Sequence, residues 1–173
     1  MPTSILVWDV IEKVMELKPN SILDIGCGFG KYGFLCREYL DIWERRYEKK
    51  DWKVIIDGCE VFEYYITPCH RYVYNNIFFG NIFAHLDIIK NYDVVIICDV
   101  VEHFQKEEGK RILDLCNKYI VTTPLFPAPQ GAAFGNEYEK HISSWEPYDF
   151  FNYKIINTNI AKESPILMGW KLE

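Results

Sequence analysis

The chain has 173 residues and a mass of 20.5 kDa, enough for one domain with a full core and too few for two of ordinary size. Hydrophobic residues make up 49% and charged residues 25%, which excludes a disordered chain. Nineteen basic against 25 acidic residues leave a formal charge of −6, so a phosphate backbone is repelled on average and nucleic acid is disfavoured as a partner.

No apolar run approaches the roughly 20 residues of a membrane span, and the first residues lack the basic segment and cleavage site of a signal peptide. These features predict a soluble, cytoplasmic protein that does not associate with membranes; they say nothing of its oligomeric state. The six cysteines (Cys27, Cys36, Cys59, Cys69, Cys98 and Cys116) form no CxxC pair, and several sit in apolar runs. In an intracellular chain they are expected to be small buried hydrophobes. Aromatic residues reach 16%, which suggests an aromatic-rich core or ligand cleft.

In chain order, residues 4–17 place Ile5, Trp8, Ile11, Val14 and Met15 at helical spacing and predict an amphipathic helix, stopped by Pro19 and Asn20. Residues 21–25 read as a short buried strand, glycines follow at once, and residues 31–40 read as a helix. The charged stretch 44–53 interleaves acids with its lysines and arginines, the pattern of a solvated face. A second strand is expected over 54–59, then a helical segment interrupted near Pro68, a third strand over 77–79 and a short helix over 82–90. The clearest strand is 92–98, followed by a helix over 106–118 and a fifth strand from 119–121. A long loop rich in Pro, Gly and Asn follows. Ser143 and Glu146 fit a capping box for a helix through Phe151, and strands near 154–160 and 166–170 are close enough to pair antiparallel. Strands alternating with helices predict a single α/β domain over 1–173, a sandwich with a largely parallel sheet.

The sharpest local signal is SILDIGCGFGKYG, residues 21–33: a strand with an acid near its end, then Gly26, Gly28, Gly30 and Gly33, then a helix. Glycines there allow close approach of a ligand to the backbone, and a helix N-terminus offers unpaired N–H groups. Gly28, Gly30 and Gly33 also satisfy the dinucleotide pattern GxGxxG, so the motif alone admits a nicotinamide enzyme. Two features weigh against that. Asp24 would oppose a pyrophosphate, and the chain has no room for a separate substrate domain. A carboxylate there suits a cationic ligand such as S-adenosylmethionine, which carries positive charge on its ammonium group and on sulfur.

The segment LDIGCGFG resembles motif I of the class I S-adenosylmethionine-dependent methyltransferases. The resemblance implies a Rossmann-like methyltransferase fold, a three-layer sandwich with a seven-stranded, mostly parallel sheet and one antiparallel strand. It implies S-adenosyl-L-methionine as cofactor, with Asp24, Gly26, Cys27, Gly28 and Gly30 in the glycine turn. Glu60, ending VIIDGCE, stands where the family grips the ribose; a carboxylate can accept from both vicinal hydroxyls, and Asp57 competes for the role. Asn81 and Ile82 fall near the expected adenine site, where the family usually has Asp. Asp99, Glu102 and His103 resemble the family's D-x-x-E-H region beside the transferred methyl group.

If a helix starts at Asp99, then Asp99, Glu102 and His103 share one face, and His141 could approach it. Two histidines and two carboxylates would suit a divalent cation, and similar patterns with a later His occur in metal-dependent ribose methyltransferases of small RNAs and in some quinone O-methyltransferases. Without a metal, His103 or His141 is the expected general base for a hydroxyl acceptor. Residues 123–145 follow strand five at the carboxyl edge of the sheet, so Tyr138, His141 and Trp145 are candidate acceptor contacts. The acceptor is expected to be a small molecule. Two alternatives remain, a nucleotide enzyme reusing the glycine turn and a catalytically silent cofactor-binding or interaction domain.

Overall fold

A computed structural model describes residues 7–125, 129–156 and 165–173. Seven strands form one sheet: β1 (Ser21–Ile25), β2 (Ile55–Glu60), β3 (Ile77–Phe79), β4 (Val94–Cys98), β5 (Tyr119–Pro124), β6 (Asn152–Ile156) and β7 (Ile166–Lys171). Their spatial order is β3-β2-β1-β4-β5-β7-β6, and only β7 runs antiparallel to its neighbours. The chain leaves β1 toward β2 on one side and later resumes at β4 on the other. This places the topological switch point at the carboxyl ends of β1 and β4, where open α/β sheets bind ligands.

The apolar run VVIIC makes β4 because every one of its residues is buried between two helical layers. Side chains alternate along a strand, so Val94 and Ile96 join one core with Ile22 and Ile56. Helices α1 (Val7–Leu17) and α2 (Lys31–Arg37) cover that face through Val10, Ile11, Val14 and Cys36. Val95 and Ile97 turn to the other core, with Leu23, Ile25 and Val121, beneath α4 (Leu86–Ile89) and α5 (Lys106–Leu115). Cys69 is half-buried and the other five cysteines are buried; all six are free. No described helix is long and apolar enough to cross a membrane.

Several elements differ from expectation for local reasons. Helix α2 ends at Arg37 and widens into a π turn over Glu38–Ile42. Pro68 starts α3 (Pro68–Val73) instead of interrupting a helix, because proline is tolerated in the first turn and Thr67 caps it reciprocally with His70. Residues 82–90 split into a 3-10 turn, Ile82–Ala84, capped by Asn81, and the short α4. Ser143 does not open a helix. Glu146 is the cap, paired with Asp149 around a single 3-10 turn that Pro147 begins. Ser143 Oγ instead accepts from Trp145 Nε1 at 3.1 Å. Strand β6 begins two residues early and is described only to Ile156; residues 157–160 lie outside the described residues.

Trp145 is fully buried in the second core, stacked on Phe150 with ring centroids 5.4 Å apart. It is therefore a core residue and not an acceptor contact. A Cβ on Gly109, in the middle of α5, would lie 2.5 Å from Trp145 Cζ2. Alanine favours a helix interior by up to about 1 kcal/mol over glycine, but overpacking a fixed indole costs about 1–3 kcal/mol. Gly109→Ala is expected to lower stability by about 1–2 kcal/mol, read as a lower urea midpoint with an unchanged slope; a variant as stable as the wild type would show that Trp145 yields.

Candidate active site

The turn after β1 is built by backbone geometry that side chains oppose. Gly26, Gly28 and Gly30 all have positive φ, at 69°, 53° and 86°. The Gly26 and Cys27 N–H groups donate to the Cys59 carbonyl at 2.8 and 3.1 Å, which ties the turn to the end of β2. A Cβ on Gly26 would lie 2.3 Å from Val100 Cγ2, whereas one on Gly28 would meet only the Gly26 carbonyl, at 3.9 Å. The space in front of Gly28 is open.

Glu60 and His70 hold Gly28 from its two sides. Its N–H donates to Glu60 Oε2 at 2.8 Å, and its carbonyl accepts from His70 Nε2 at 2.8 Å. His70 is buried, and its Nδ1 accepts from the Thr67 N–H at 3.1 Å, so its tautomer is set. No motif in the sequence marks His70 as a support for the glycine turn. The other Glu60 oxygen accepts from the Phe62 N–H at 2.8 Å. Burial raises the Glu60 carboxyl above its ordinary range, while the Phe62 and Gly28 N–H groups pull it back.

Asp57, the competing acid, is structural: its carboxylate accepts from the Asn76 backbone and from the Tyr92 hydroxyl at 2.5 Å.

Among the residues singled out from the sequence, Gly26, Gly28, Glu60, Asn81, Ile82, Asp99 and His103 line one cleft at the carboxyl edge of the sheet. Asp24, Cys27 and Gly30 lie behind its wall. Asp24 is 2% exposed and accepts from the Tyr74 hydroxyl at 2.6 Å. Burial pushes its carboxyl up to about 7, against that hydrogen bond and the attraction of Lys31. The charge that was to meet a cationic ligand at Asp24 is thus screened from the cleft, and the acids that reach the cleft are Glu60, Asp99 and Glu139. Asn81 Oδ1 accepts from the Phe83 N–H at 3.1 Å, as the cap of its turn.

Asp99 does not begin a helix. It sits at φ 57° and accepts from the Thr122 hydroxyl at 3.0 Å, and a single 3-10 turn, Val101–His103, follows. Asp99 is consequently separated from the other members of the expected cation set. Glu102, His103 and His141 do meet: one ligand atom from each lies within 4.8 Å of the others. Glu102 Oε2 is buried and makes no hydrogen bond. Its carboxyl is raised by burial first and by the Asp99 charge second. The His103 and His141 rings meet edge to face, with centroids 5.0 Å apart.

Residues 130–141 form a narrow strap over this edge. It turns at Phe134 and Gly135, both at positive φ, where Ala133 bridges Asn136. Gln130 Nε2 donates to the Glu139 carbonyl at 2.8 Å, and the His141 N–H donates to the Gln130 carbonyl at 3.1 Å. Tyr65, Asn136, Tyr138 and Glu139 join the cleft wall, and the Tyr65 hydroxyl donates to Glu139 Oε1 at 2.9 Å. Of these, Tyr65, Asn136 and Glu139 carry no sequence motif that marks them.

No protein-family model and no curated protein matches the chain. Solved structures resemble it in fold. A SAM-dependent methyltransferase from Archaeoglobus fulgidus superposes with a TM-score of 0.61 at 16% identity, over 96% of this chain and 93% of that one. The methyltransferase domain of bacterial CtHen1 gives 0.55 at 16% identity, over 95% of each chain. Magnesium protoporphyrin IX methyltransferase from Synechocystis PCC 6803, solved with bound SAH, gives 0.58 at 15%, over 96% of this chain and 82% of that one. The chain has the fold of the class I S-adenosylmethionine-dependent methyltransferases.

The raised Asp24 carboxyl makes a pH prediction. The folded protein keeps a proton that the unfolded chain releases near pH 4, so this group costs stability as pH rises from about 4 through about 7. Asp24→Asn removes that loss and keeps an acceptor for Tyr74. Between pH 5 and pH 8 the variant should gain about 2–3 kcal/mol relative to the wild type in urea unfolding, and parallel pH profiles would refute the assignment.

Proposed function

We propose that this chain is an S-adenosylmethionine-dependent methyltransferase acting on a hydroxyl or amine of a small acceptor. The observation that carries the assignment is Glu60, a buried carboxylate at the end of β2 that faces the cleft while gripping the glycine turn at Gly28. Each of its oxygens accepts one backbone N–H and retains a lone pair, so it suits the vicinal hydroxyls of a ribose. The open space before Gly28 and Gly80 gives a nucleoside room to approach the backbone. Asn81 and Ile82 would flank its base. The bound cofactor supplies a methyl group already activated on a sulfonium.

The chain then has to align the acceptor, exclude water and, for a hydroxyl, take a proton. His103 fits the last task. Its Nδ1 lies 3.0 Å from the Lys140 carbonyl, which can only accept, so the ring hydrogen sits on Nδ1 and Nε2 keeps its lone pair. His141 stands beside it, and Tyr138 in the strap would contact the acceptor. The net charge of −6 favours a small acceptor over nucleic acid.

Glu60→Ala should weaken binding of S-adenosylhomocysteine by about 1–3 kcal/mol in calorimetry, in a variant whose circular dichroism matches the wild type. Unchanged affinity would remove Glu60 from the site.

A second possibility rests on the orphaned Glu102 Oε2 beside His103 and His141. Two imidazoles and a carboxylate would hold a divalent transition metal that orients the acceptor oxygen, without Asp99. Manganese titration followed by electron paramagnetic resonance should show one site in the wild type, lost in His141→Ala; equal occupancy in both would exclude it.

A further inference from the structure

The cleft at the ends of β1, β2 and β4 encloses about 140 Å3. That is close to a cavity that takes benzene, whereas sites for drug-sized ligands span about 300–1,000 Å3. A nucleoside is larger than this space and would displace the strap to lie against the open backbone at Gly28 and Gly80. On the cleft side the strap is held by the Tyr65–Glu139 hydrogen bond at 2.9 Å, by the bond from His103 Nδ1 to the Lys140 carbonyl at 3.0 Å, by the His103–His141 ring contact and by the buried Asn136. Its far root is firmer. The Ile142 and Ser143 N–H groups both donate to the Glu102 carbonyl, at 2.9 and 3.1 Å, and Trp145 is sunk in the core just beyond.

The two cleft-side bonds lie on consecutive residues. Glu139 engages Tyr65, at the β2 side of the cleft, and Lys140 engages His103, at the β4 side. Movement of one therefore moves the other. The carbonyl of Lys140 is also what puts the ring hydrogen of His103 on Nδ1, since a carbonyl cannot donate.

We propose that Tyr65 and Glu139 are positioning residues that latch the strap, and that the latched strap sets His103 in the Nδ1–H tautomer. This rests on the assignment of His103 as the proton acceptor in methyl transfer. Opening the strap admits a ligand and releases the tautomer; closing it over the ligand restores an imidazole whose Nε2 can take the acceptor's hydroxyl proton. The base is thus competent only in a closed cleft, which keeps proton transfer and water exclusion in step.

The test uses the ligand-free protein with Tyr65→Phe and Glu139→Ala, since a glutamine at 139 would still accept from the Tyr65 hydroxyl. Amide hydrogen exchange across residues 139–141 should rise about tenfold in both variants, the loss of one hydrogen bond worth about 1.4 kcal/mol, while β4 amides stay protected. Nitrogen-15 imidazole spectra should show His103 as the Nδ1–H form in the wild type and a shift toward the Nε2–H form in the variants. A purely structural role for Tyr65 would leave the imidazole unchanged. The proposal is overturned if strap exchange stays within twofold of the wild type, or if it rises while His103 keeps its tautomer. Both readouts precede any ligand, so they are decided separately from whether S-adenosylmethionine binds.

Discussion

The hydrogen bond from the Gly28 N–H to the buried carboxylate of Glu60 joins the two halves of the site. It spans from the turn after β1 to the last residue of β2, strands already paired along their length. With His70 bound to the carbonyl of the same residue, in the next peptide along, the turn is held in a conformation that only glycine adopts without strain. A carboxylate kept in that buried position costs solvation, and backbone donors alone offset part of it. Its remaining capacity faces the cleft, where a ligand hydroxyl would complete its coordination.

From that bond the rest of the site follows by topology. The order β3-β2-β1-β4-β5 brings the ends of β1, β2 and β4 to one edge, so Glu60, the glycine turn and the Asp99–His103 segment converge although they lie far apart in sequence. The residues after β5 then fold back over the same edge. The strap joins the cleft wall through Asn136, Tyr138 and Glu139 and brings His141 beside His103 and Glu102. On the proposed function, β1 and β2 supply the binding half of the site, and β4 and the strap supply the chemical half.

The glycine turn and the acid that ends β2 are legible in the sequence because their signals are local. A buried strand, an acid and spaced glycines define the turn, and the acid ending VIIDGCE is an ionisable residue in an apolar run. What composition could not convey is which way a carboxylate points. Asp24 and Glu60 are both acids near strand ends, yet Asp24 turns into the first core toward Tyr74 and Glu60 into the cleft. The chemical half was harder to read for the same reason. Helical spacing from Asp99 fails because its positive φ ends the regularity there, and the Thr122 hydroxyl binds its carboxylate. Trp145 looked available because it follows a polar loop, and only the packing of Gly109 and Phe150 shows it as core. Tyr65 and Glu139 belong to the cleft through a long-range contact, which no window of sequence contains.

The central claim is that the cleft between the glycine turn and Glu60 is the cofactor site. Amide chemical-shift mapping during titration with S-adenosylhomocysteine tests it most directly, with NAD as the control. Saturable shifts centred on Gly26, Gly28, Val61 and Gly80 are expected, and none with NAD. Shifts centred elsewhere, such as the cavity formed by Lys110, Tyr119 and Lys171 at the opposite edge, or the same response to NAD, would contradict it.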